Sequence, residues 1–322
     1  MISNWRQIQL QNFVSWEKLS LFLQIDKNQK DILIKSSFPL NLPLRLAEKI
    51  QKSHIEDPIL KQFLPVTSEN VLEPGFQKDP VNDTSFKKEA KLIQKYQGRA
   101  LLVTSSACAM HCRYCFRKNF FYEVDRKDFQ PEISLIEKDT SLREIILSGG
   151  DPLSLSNAQL KNLLESLANI PHIKRIRFHS RFPIGIPERI DEEFLAILDG
   201  CIKQIHFVIH TNHPKELDST IFCALKKIQK LGIPVLNQSV LLKGVNDCVF
   251  TLKELFETLS DHGILPYYLH QLDKVAGASH FEVSEIEGKA LMKELSSLVS
   301  GYTLPKYSKE EPGRPSKTII PY

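Results

Sequence analysis

The stretch Ala100-Leu-Leu-Val-Thr-Ser-Ser-Ala-Cys108-Ala-Met-His-Cys112-Arg-Tyr-Cys115 places three cysteines just after a short apolar run. The spacing C-x3-C-x2-C puts three thiolates on one loop, where they can bind three irons of a cubane cluster and leave the fourth iron open. A structural zinc site is the main alternative, with His111 or a distant residue as the fourth ligand, although the sequence shows no second close ligand pair. The spacing therefore favours a [4Fe–4S] cluster over zinc, and both over three buried core cysteines.

Further apolar runs follow this one, and amphipathic helical patterns fill the stretches between them. The predicted strands are 100–104, 144–148, 175–180, 204–210, 235–240 and 266–270. Residues 157–168 and 219–231 are clear helices, because Ser156 and Gln159 form a capping box and Gly232 ends the second pattern. This alternation predicts an α/β fold in which a parallel sheet curls into an incomplete barrel. The chemistry is then expected at the carboxyl ends of the strands.

The rest of the sequence sets limits on organisation and partners. We predict an N-terminal helical extension over 1–95, the barrel over 96–303, and a tail over 304–322 whose proline and charge suggest a loose terminus. The net charge of +4 is small and dispersed, which argues against a nucleic-acid partner. No apolar run is long enough for a membrane, and the start is not a signal peptide. With Cys201, Cys223 and Cys248 scattered singly, a cytoplasmic enzyme is expected.

The cysteine loop, with an aromatic residue before its third cysteine, resembles the signature of radical S-adenosylmethionine enzymes. Ser148-Gly-Gly-Asp151, at the end of the second predicted strand, is similar to the glycine-rich motif with which that family binds the methionine amino group. Taken alone, this tetrapeptide is typical of an ordinary turn. The resemblance implies a partial (β/α)6 TIM-type barrel and a reductively generated 5′-deoxyadenosyl radical. The positions that it implies for S-adenosylmethionine are Tyr114, Ser148, Gly149, Gly150, Asp151 and Asn246.

Most of the chain, about residues 90 to 319, resembles one branch of these enzymes, the lysine 2,3-aminomutases. The matching stretches include 112–117, 147–153, 180–183, 210–214 and 237–247. The resemblance implies an isomerase with a second cofactor, pyridoxal 5′-phosphate, which Lys317 holds as an imine. Without it, a lysine so near the chain end would be interpreted as a solvated tail charge.

The same resemblance implies further site residues. Tyr96, Arg99, Arg181 and Gln238 match positions around pyridoxal phosphate, where arginines could neutralise the phosphate. Arg117 matches the arginine that pairs with the substrate carboxylate, and a surface arginine is its alternative interpretation. Asp273 and Glu310 match carboxylates that hold the ε-ammonium of lysine. Glu310 replaces an aspartate of the lysine enzymes, and solvated tail charges are the alternative for Glu310 and Glu311.

The short C-terminus and residues 272–281 are similar to the subgroup that serves elongation factor P. Its members convert free (S)-α-lysine to (R)-β-lysine, which a separate ligase attaches to the factor. The resemblance also implies a flavodoxin- or ferredoxin-type electron donor, and it leaves a homodimer open. Longer enzymes of the branch bind zinc through a cysteine at the position of Cys248 and three more in an extension, which are missing here, so no zinc is expected. A glutamate or arginine aminomutase, or a radical enzyme without pyridoxal phosphate, remains as an alternative.

Overall fold

The computed structural model describes residues 5–123 and 128–322. One ten-stranded sheet, with its strands in chain order, organises the fold. Its strands are β1 Lys87–Glu89, β2 Leu92–Tyr96, β3 Arg99–Ser105, β4 Glu144–Gly149, β5 Arg175–Ser180, β6 Gln204–His210, β7 Val235–Val240, β8 Leu265–His270, β9 Lys306–Lys309 and β10 Thr318–Ile319. Strands β3 to β9 run parallel, whereas β1, β2 and β10 pair antiparallel with their neighbours.

Helices precede the sheet and cover its outer face. They are α1 Trp5–Gln9, α2 Trp16–Leu23, α3 Leu44–Glu48, α4 Pro58–Lys61, α5 Gln130–Lys138, α6 Asn157–Ala168, α7 Phe182–Gly185, α8 Glu192–Asp199, α9 Ser219–Lys230, α10 Val249–Asp261 and α11 Glu285–Ser296. The capping box predicted for α6 forms, because Gln159 N donates to Ser156 Oγ and Ser156 N donates to Gln159 Oε1. Helix α6 then buries a leucine stripe against the sheet. Within the described residues, no helix has both the length and the apolar character needed to cross a membrane.

The predicted strands agree with β3 to β8 to within one residue at their ends. The two ends of the sheet differ from the prediction. Residue 95, the expected end of the helical extension, lies inside β2, so strands β1 and most of β2 belong to the segment predicted as helical. The tail predicted as a loose terminus instead contributes β9 and β10, and Ile320 beyond them is buried. Pairing with the sheet orders a polar segment whose composition alone predicts no structure.

The sheet is curled, as shown by a side-chain contact between β2, near one edge of the sheet, and the residue that follows β9, near the other edge. Tyr96, the last residue of β2, donates its hydroxyl hydrogen to Glu310, which directly follows β9. Parallel strands bring their carboxyl ends to one rim, so the residues at the ends of β3 to β9 surround a common space. This arrangement confirms the predicted α/β fold with an incompletely closed barrel.

Candidate active site

A cavity of about 540 Å³ lies inside the curled sheet, at the carboxyl ends of its parallel strands. Its lining includes both the cysteine loop and the C-terminal segment that carries Lys317. The predicted site residues that line it are Tyr96, Arg99, Cys108, Cys112, Tyr114, Cys115, Arg117, Ser148, Gly149, Gly150, Asp151, Arg181, Gln238, Asp273, Glu310 and Lys317. The fold therefore brings together positions that are more than 200 residues apart in the sequence.

The N-terminal segment holds the cysteine loop in place. His111 N donates to Asn41 O at 3.0 Å, and Arg113 N donates to Gln62 O at 2.9 Å. Asn12 Nδ2 adds a hydrogen bond of 2.7 Å to Ala109 O. Because these contacts fix the backbone between the cysteines, the extension before the barrel is part of the cluster site.

The three thiols suit an iron–sulfur cluster. Burial raises the pKa of the Cys115 thiol to about 11 and that of Cys108 well above its ordinary value, and the neighbouring cysteines add to both shifts. Iron binding would displace these protons, and the resulting negative charge needs nearby cations. Arg181 provides one, because its Nη1 lies 2.8 Å from Cys112 Sγ. The donor set and its surroundings therefore fit a thiolate-bound cluster.

The glycine-rich motif packs directly against the cysteine loop. Gly149 has a φ of +109°, which favours glycine. A Cβ on Gly150 would lie only 2.5 Å from Ala107 O. Gly150 N and Asp151 N donate to the loop carbonyls of Ser105 and Ala107, respectively. The glycines thus allow the end of β4 to touch the loop that carries the cysteines.

Asp151 has a different environment from that expected of a ligand contact. Its carboxylate accepts hydrogen bonds from Ser180 Oγ, Arg181 N and Phe182 N at 2.8 to 3.1 Å. Burial raises its pKa to about 6 in spite of these bonds. The structure therefore gives Asp151 the task of joining the ends of β4 and β5, which shapes the wall of the cavity.

Asn246 lies outside the cavity lining. Its Nδ2 donates to Asn212 O and Val240 O, both at 2.9 Å, and its Oδ1 accepts from Leu242 N at 2.8 Å. These bonds fix the loop after β7. The structure thus assigns Asn246 to loop geometry and does not place it among the residues that face the cavity.

Arg181 belongs to a buried network that the sequence analysis missed. Its Nη2 donates to Glu216 Oε2 and to Gln62 Oε1, each at 2.8 Å, and its Nη1 also contacts the Tyr114 hydroxyl. The Arg181 guanidinium thus contacts the cysteine loop, and its implied place beside pyridoxal phosphate stays a prediction. Glu216 lies shortly after the matching stretch 210–214, and Gln62 comes from the end of α4, for which the sequence gave no functional signal.

A second charged network joins Arg117 to Lys317 along the cavity lining. Lys317 Nζ is 2.8 Å from Glu310 Oε2. Lys95 Nζ lies 2.6 Å from Asp83 Oδ1 and 3.9 Å from Glu310 Oε1, and Asp83 Oδ2 accepts from Arg117 Nε at 2.8 Å. Charges therefore alternate from Arg117 to Lys317. Asp83 and Lys95 carry no sequence signal for this role, because an aspartate in a turn and a lysine in a polar strand are common on surfaces.

Three half-buried histidines, His179, His210 and His270, line the cavity. Burial lowers the pKa of His210 to about 3 and the pKa values of His179 and His270 well below their ordinary value, so all three are neutral. Among the residues that the structure describes, the Nε2 atoms of His179 and His210 are buried without a hydrogen-bond partner. Buried polar atoms of this kind are normally satisfied. The cavity therefore fits a polar ligand that supplies these partners, as the nucleoside or pyridoxal cofactors can.

Comparison with known proteins identifies the family. Residues 102–259 match the model of the radical SAM superfamily. The chain is 41% identical over 322 residues to an L-lysine 2,3-aminomutase of Haemophilus influenzae, covering 98% of this chain and 95% of that protein. It is 42% identical over 310 residues to an L-lysine 2,3-aminomutase of Escherichia coli, covering 94% and 90%. The chain belongs to the lysine 2,3-aminomutase family of radical S-adenosylmethionine enzymes.

The fold of this aminomutase family member is also similar to that of Streptococcus suis SuiB bound to S-adenosylmethionine. The TM-score is 0.52 at 14% identity, and the match covers 67% of this chain and 51% of that chain. At this identity the likeness concerns the fold alone, and it agrees with the partial barrel. The family resemblance from the sequence is confirmed, and with it a radical enzyme that uses a [4Fe–4S] cluster and S-adenosylmethionine.

Proposed function

We propose that this aminomutase family member converts free (S)-α-lysine to (R)-β-lysine and uses pyridoxal 5′-phosphate held by Lys317. The observation that carries the proposal is the shared cavity, which is lined both by the three cysteines and by Lys317. A sequence position near the chain end thereby becomes part of the site. Two of the relatives described above carry the name L-lysine 2,3-aminomutase, which supports the reaction class.

The cofactors supply the reactive groups. When bound, the cluster and S-adenosylmethionine provide a 5′-deoxyadenosyl radical, and pyridoxal phosphate provides a π-system for the migrating amine. The chain holds these groups in position. Cys108, Cys112 and Cys115 would bind the cluster, and Lys317 would hold the aldehyde. Arg99, with its guanidinium 4.4 Å from the centre of the Tyr96 ring, is available for the phosphate.

The charged side chains of the cavity match the two ends of lysine. Arg117 is 7% exposed, and its planar fork suits the substrate carboxylate. Asp273 and Glu310 lie near Lys317 and can bind an ammonium group. The enclosing sheet limits access of water to the cavity, which protects a radical from side reactions. This arrangement of charges favours a substrate with a terminal cation, and it disfavours glutamate.

The product would serve elongation factor P through a separate ligase. This part of the proposal depends on the resemblance of residues 272–281 to the corresponding subgroup. An electron donor of the flavodoxin or ferredoxin type would reduce the cluster. A homodimer is compatible with the proposal, which does not require one.

Anaerobic incubation of the reconstituted enzyme with L-lysine, dithionite and S-adenosylmethionine tests the reaction. We expect chiral chromatography to detect (R)-β-lysine, and parallel incubations with L-glutamate and L-arginine to give no β-amino acid. Lys317→Ala should abolish β-lysine formation and the visible absorbance of bound pyridoxal phosphate. Lys309→Ala is the matched control, since Lys309 Nζ lies 3.0 Å from Glu285 on α11. Full activity of Lys317→Ala, or a preference for glutamate, would overturn the proposal.

A further inference from the structure

Asp83 and Lys95 form a buried ion pair between the two proposed substrate-binding ends of the cavity. Asp83 Oδ2 contacts Arg117 Nε at 2.8 Å, while Asp83 Oδ1 contacts Lys95 Nζ at 2.6 Å. Lys95 Nζ is also 3.9 Å from Glu310 Oε1. The Asp83 carboxylate therefore contacts two cations. One is Arg117, the proposed partner of the substrate carboxylate, and the other is Lys95, which lies beside Glu310.

Asp83 is firmly held in this position. It begins a 3-10 turn, Asp83–Phe86, and its backbone N donates to Asp79 Oδ1 at 2.8 Å. The residue is only 1% exposed. Burial of a carboxylate is unfavourable unless it is paired, and the two cations compensate for it, since Arg117 and Lys95 keep the pKa of Asp83 below its ordinary value. Its charge is thus maintained inside the cavity.

The contact with Arg117 also orients the guanidinium. Asp83 accepts from Nε, on the side of the fork that faces the turn. Ser148 Oγ is 3.4 Å from Nη1. Within residues 5–123 and 128–322, no other hydrogen-bond partner is seen for the Arg117 Nη atoms, so they can meet a carboxylate in the cavity, and a bidentate contact requires this fixed fork.

The contact with Lys95 keeps a competing cation in place. The Lys95 ammonium is much closer to Asp83 than to Glu310, so Asp83 retains it. The Lys95 ammonium now contacts two carboxylates, Asp83 and Glu310. If Asp83 lost its charge, only Glu310 of these two would remain to pair with Lys95. Lys95 would then occupy the group that the substrate ammonium needs.

We propose that Asp83 is a positioning residue that sets both ends of the substrate site, fixing the Arg117 fork and keeping Lys95 away from Glu310. The inference rests on the proposed function, because it takes Arg117 and Glu310 as the groups that bind lysine. It adds a specificity role: Asp83 preserves the preference for an amino acid with a terminal ammonium. Asp83 itself does not need to touch the substrate.

Ligand binding to the reconstituted holoenzyme tests this role. Isothermal titration calorimetry would compare L-lysine with L-norleucine, which has the same carbon chain and no terminal amine. The wild type should prefer lysine by at least about tenfold, the factor that corresponds to 1.4 kcal/mol. In Asp83→Asn, which is close to isosteric, this ratio should fall to about threefold or less, because Lys95 then neutralises Glu310.

The double variant Asp83→Asn/Lys95→Gln separates the two contacts. Removing Lys95 should restore at least half of the wild-type ratio, while both ligands stay weaker than in the wild type because the Arg117 fork remains loosened. Asp218→Asn is the control. This carboxylate pairs with Lys49 at 2.6 Å and Arg45 at 3.3 Å outside the cavity, so its loss should leave the ratio unchanged.

The affinities for lysine and norleucine are measured on the same preparation of each variant. Loss of cofactor would therefore lower the number of binding sites without changing the ratio of the two affinities. An Asp83→Asn protein with the wild-type ratio would overturn the inference, as would a double variant with the same low ratio as the single one. A wild type without any preference for lysine would instead overturn the proposed function. Iron, sulfide and bound pyridoxal phosphate, measured on each variant, should stay within twofold of the wild type.

Discussion

Glu310 holds the Lys317 ammonium at 2.8 Å, although its position also matches a carboxylate for the substrate ammonium. In the proposed function, the same side chain would serve two cations in turn. Before the cofactor is attached, it keeps the Lys317 amine inside the cavity. With pyridoxal phosphate bound as an imine, Lys317 would no longer offer an ammonium to Glu310, and the Glu310 carboxylate would be available for the ammonium of an incoming lysine.

Replacement of Glu310 by glutamine tests this shared use. Glu310→Gln keeps the size of the side chain and removes its charge, so the KM for lysine should rise by at least about tenfold, as expected for loss of a charge-assisted hydrogen bond. Initial rates of β-lysine formation at saturating cofactor measure it. Glu311→Gln is the matched control, because Glu311 contacts Thr318 and Lys309 instead of Lys317. An unchanged KM in Glu310→Gln would contradict the assignment.

Lysine binding should depend on pH through Asp273. Burial raises the pKa of its carboxyl to about 6, while Lys317 opposes the shift, and Glu310, Lys95 and Asp83 are the other charges that act on it. The protonated acid cannot pair with an ammonium, so affinity for lysine should increase as the pH rises through about 6 and then level off. Calorimetric titration over a pH series measures this. In Asp273→Asn the binding should be weaker and the rise absent; the rise persisting would assign it to another group.

Contact between the glycine motif and the cysteine loop predicts a sharp effect at Gly150. A Cβ there would meet backbone, with Ala107 O at 2.5 Å and Ser106 C at 2.8 Å, so neither neighbour can move without shifting the loop. Gly150→Ala should destabilise the protein by about 1–3 kcal/mol and lower its iron content. Gly301→Ala is the control, because a Cβ at that position meets nothing within 4 Å. Thermal unfolding and iron analysis of both variants decide the matter, and equal results would refute the contact.

The C-terminal strand should be needed to position Lys317. Ile320 is 2% exposed and its backbone N donates to Tyr307 O at 2.9 Å, whereas its neighbour Ile319 is 49% exposed. Ile320→Ala should weaken the docking of this segment by about 2–4 kcal/mol and reduce bound pyridoxal phosphate. Ile286→Ala, at a position on α11 that is 81% exposed and outside the cavity lining, is the control and should bind the cofactor like the wild type. Absorbance of the bound cofactor after gel filtration provides the measurement, and a fully loaded Ile320→Ala protein would argue against this anchoring.

The sequence predicted the centre of the fold well and its margins poorly. Strands β3 to β8 have apolar, β-branched cores, so their pattern is visible locally. Strand β1 consists of Lys87-Lys88-Glu89, and β9 consists of Lys306-Tyr-Ser-Lys309. Both sequences are too polar to predict strands. Their order comes from pairing with the sheet, which single-sequence patterns do not contain.

The residues of the candidate site were likewise predicted only in part. The cysteine spacing is a local motif, and the lysine near the chain end was found through the family resemblance. Asp83 and Glu216 were missed because their arginine partners are distant in the sequence, 34 positions away for Asp83 and 35 for Glu216. Lys95 lies 12 positions from Asp83, and no local motif links the two. Without these partners, each is a common polar residue whose burial is unfavourable. The orientation of Arg181 was likewise set by Glu216 and could not be inferred from its position alone.

The contact between the Tyr96 hydroxyl and the Glu310 carboxylate joins strand β2 to the residue that follows strand β9, so it links the two edges of the curled sheet. Elsewhere around the wall, neighbouring strands are held by ladders of main-chain bonds, which are costly to separate. Between β2 and the residue after β9, the contacts seen among the described residues are made by side chains. Separating the two edges here would break side-chain contacts such as that of Tyr96 with Glu310 and would leave intact the main-chain pairing of β3 with β4 that supports the cysteine loop.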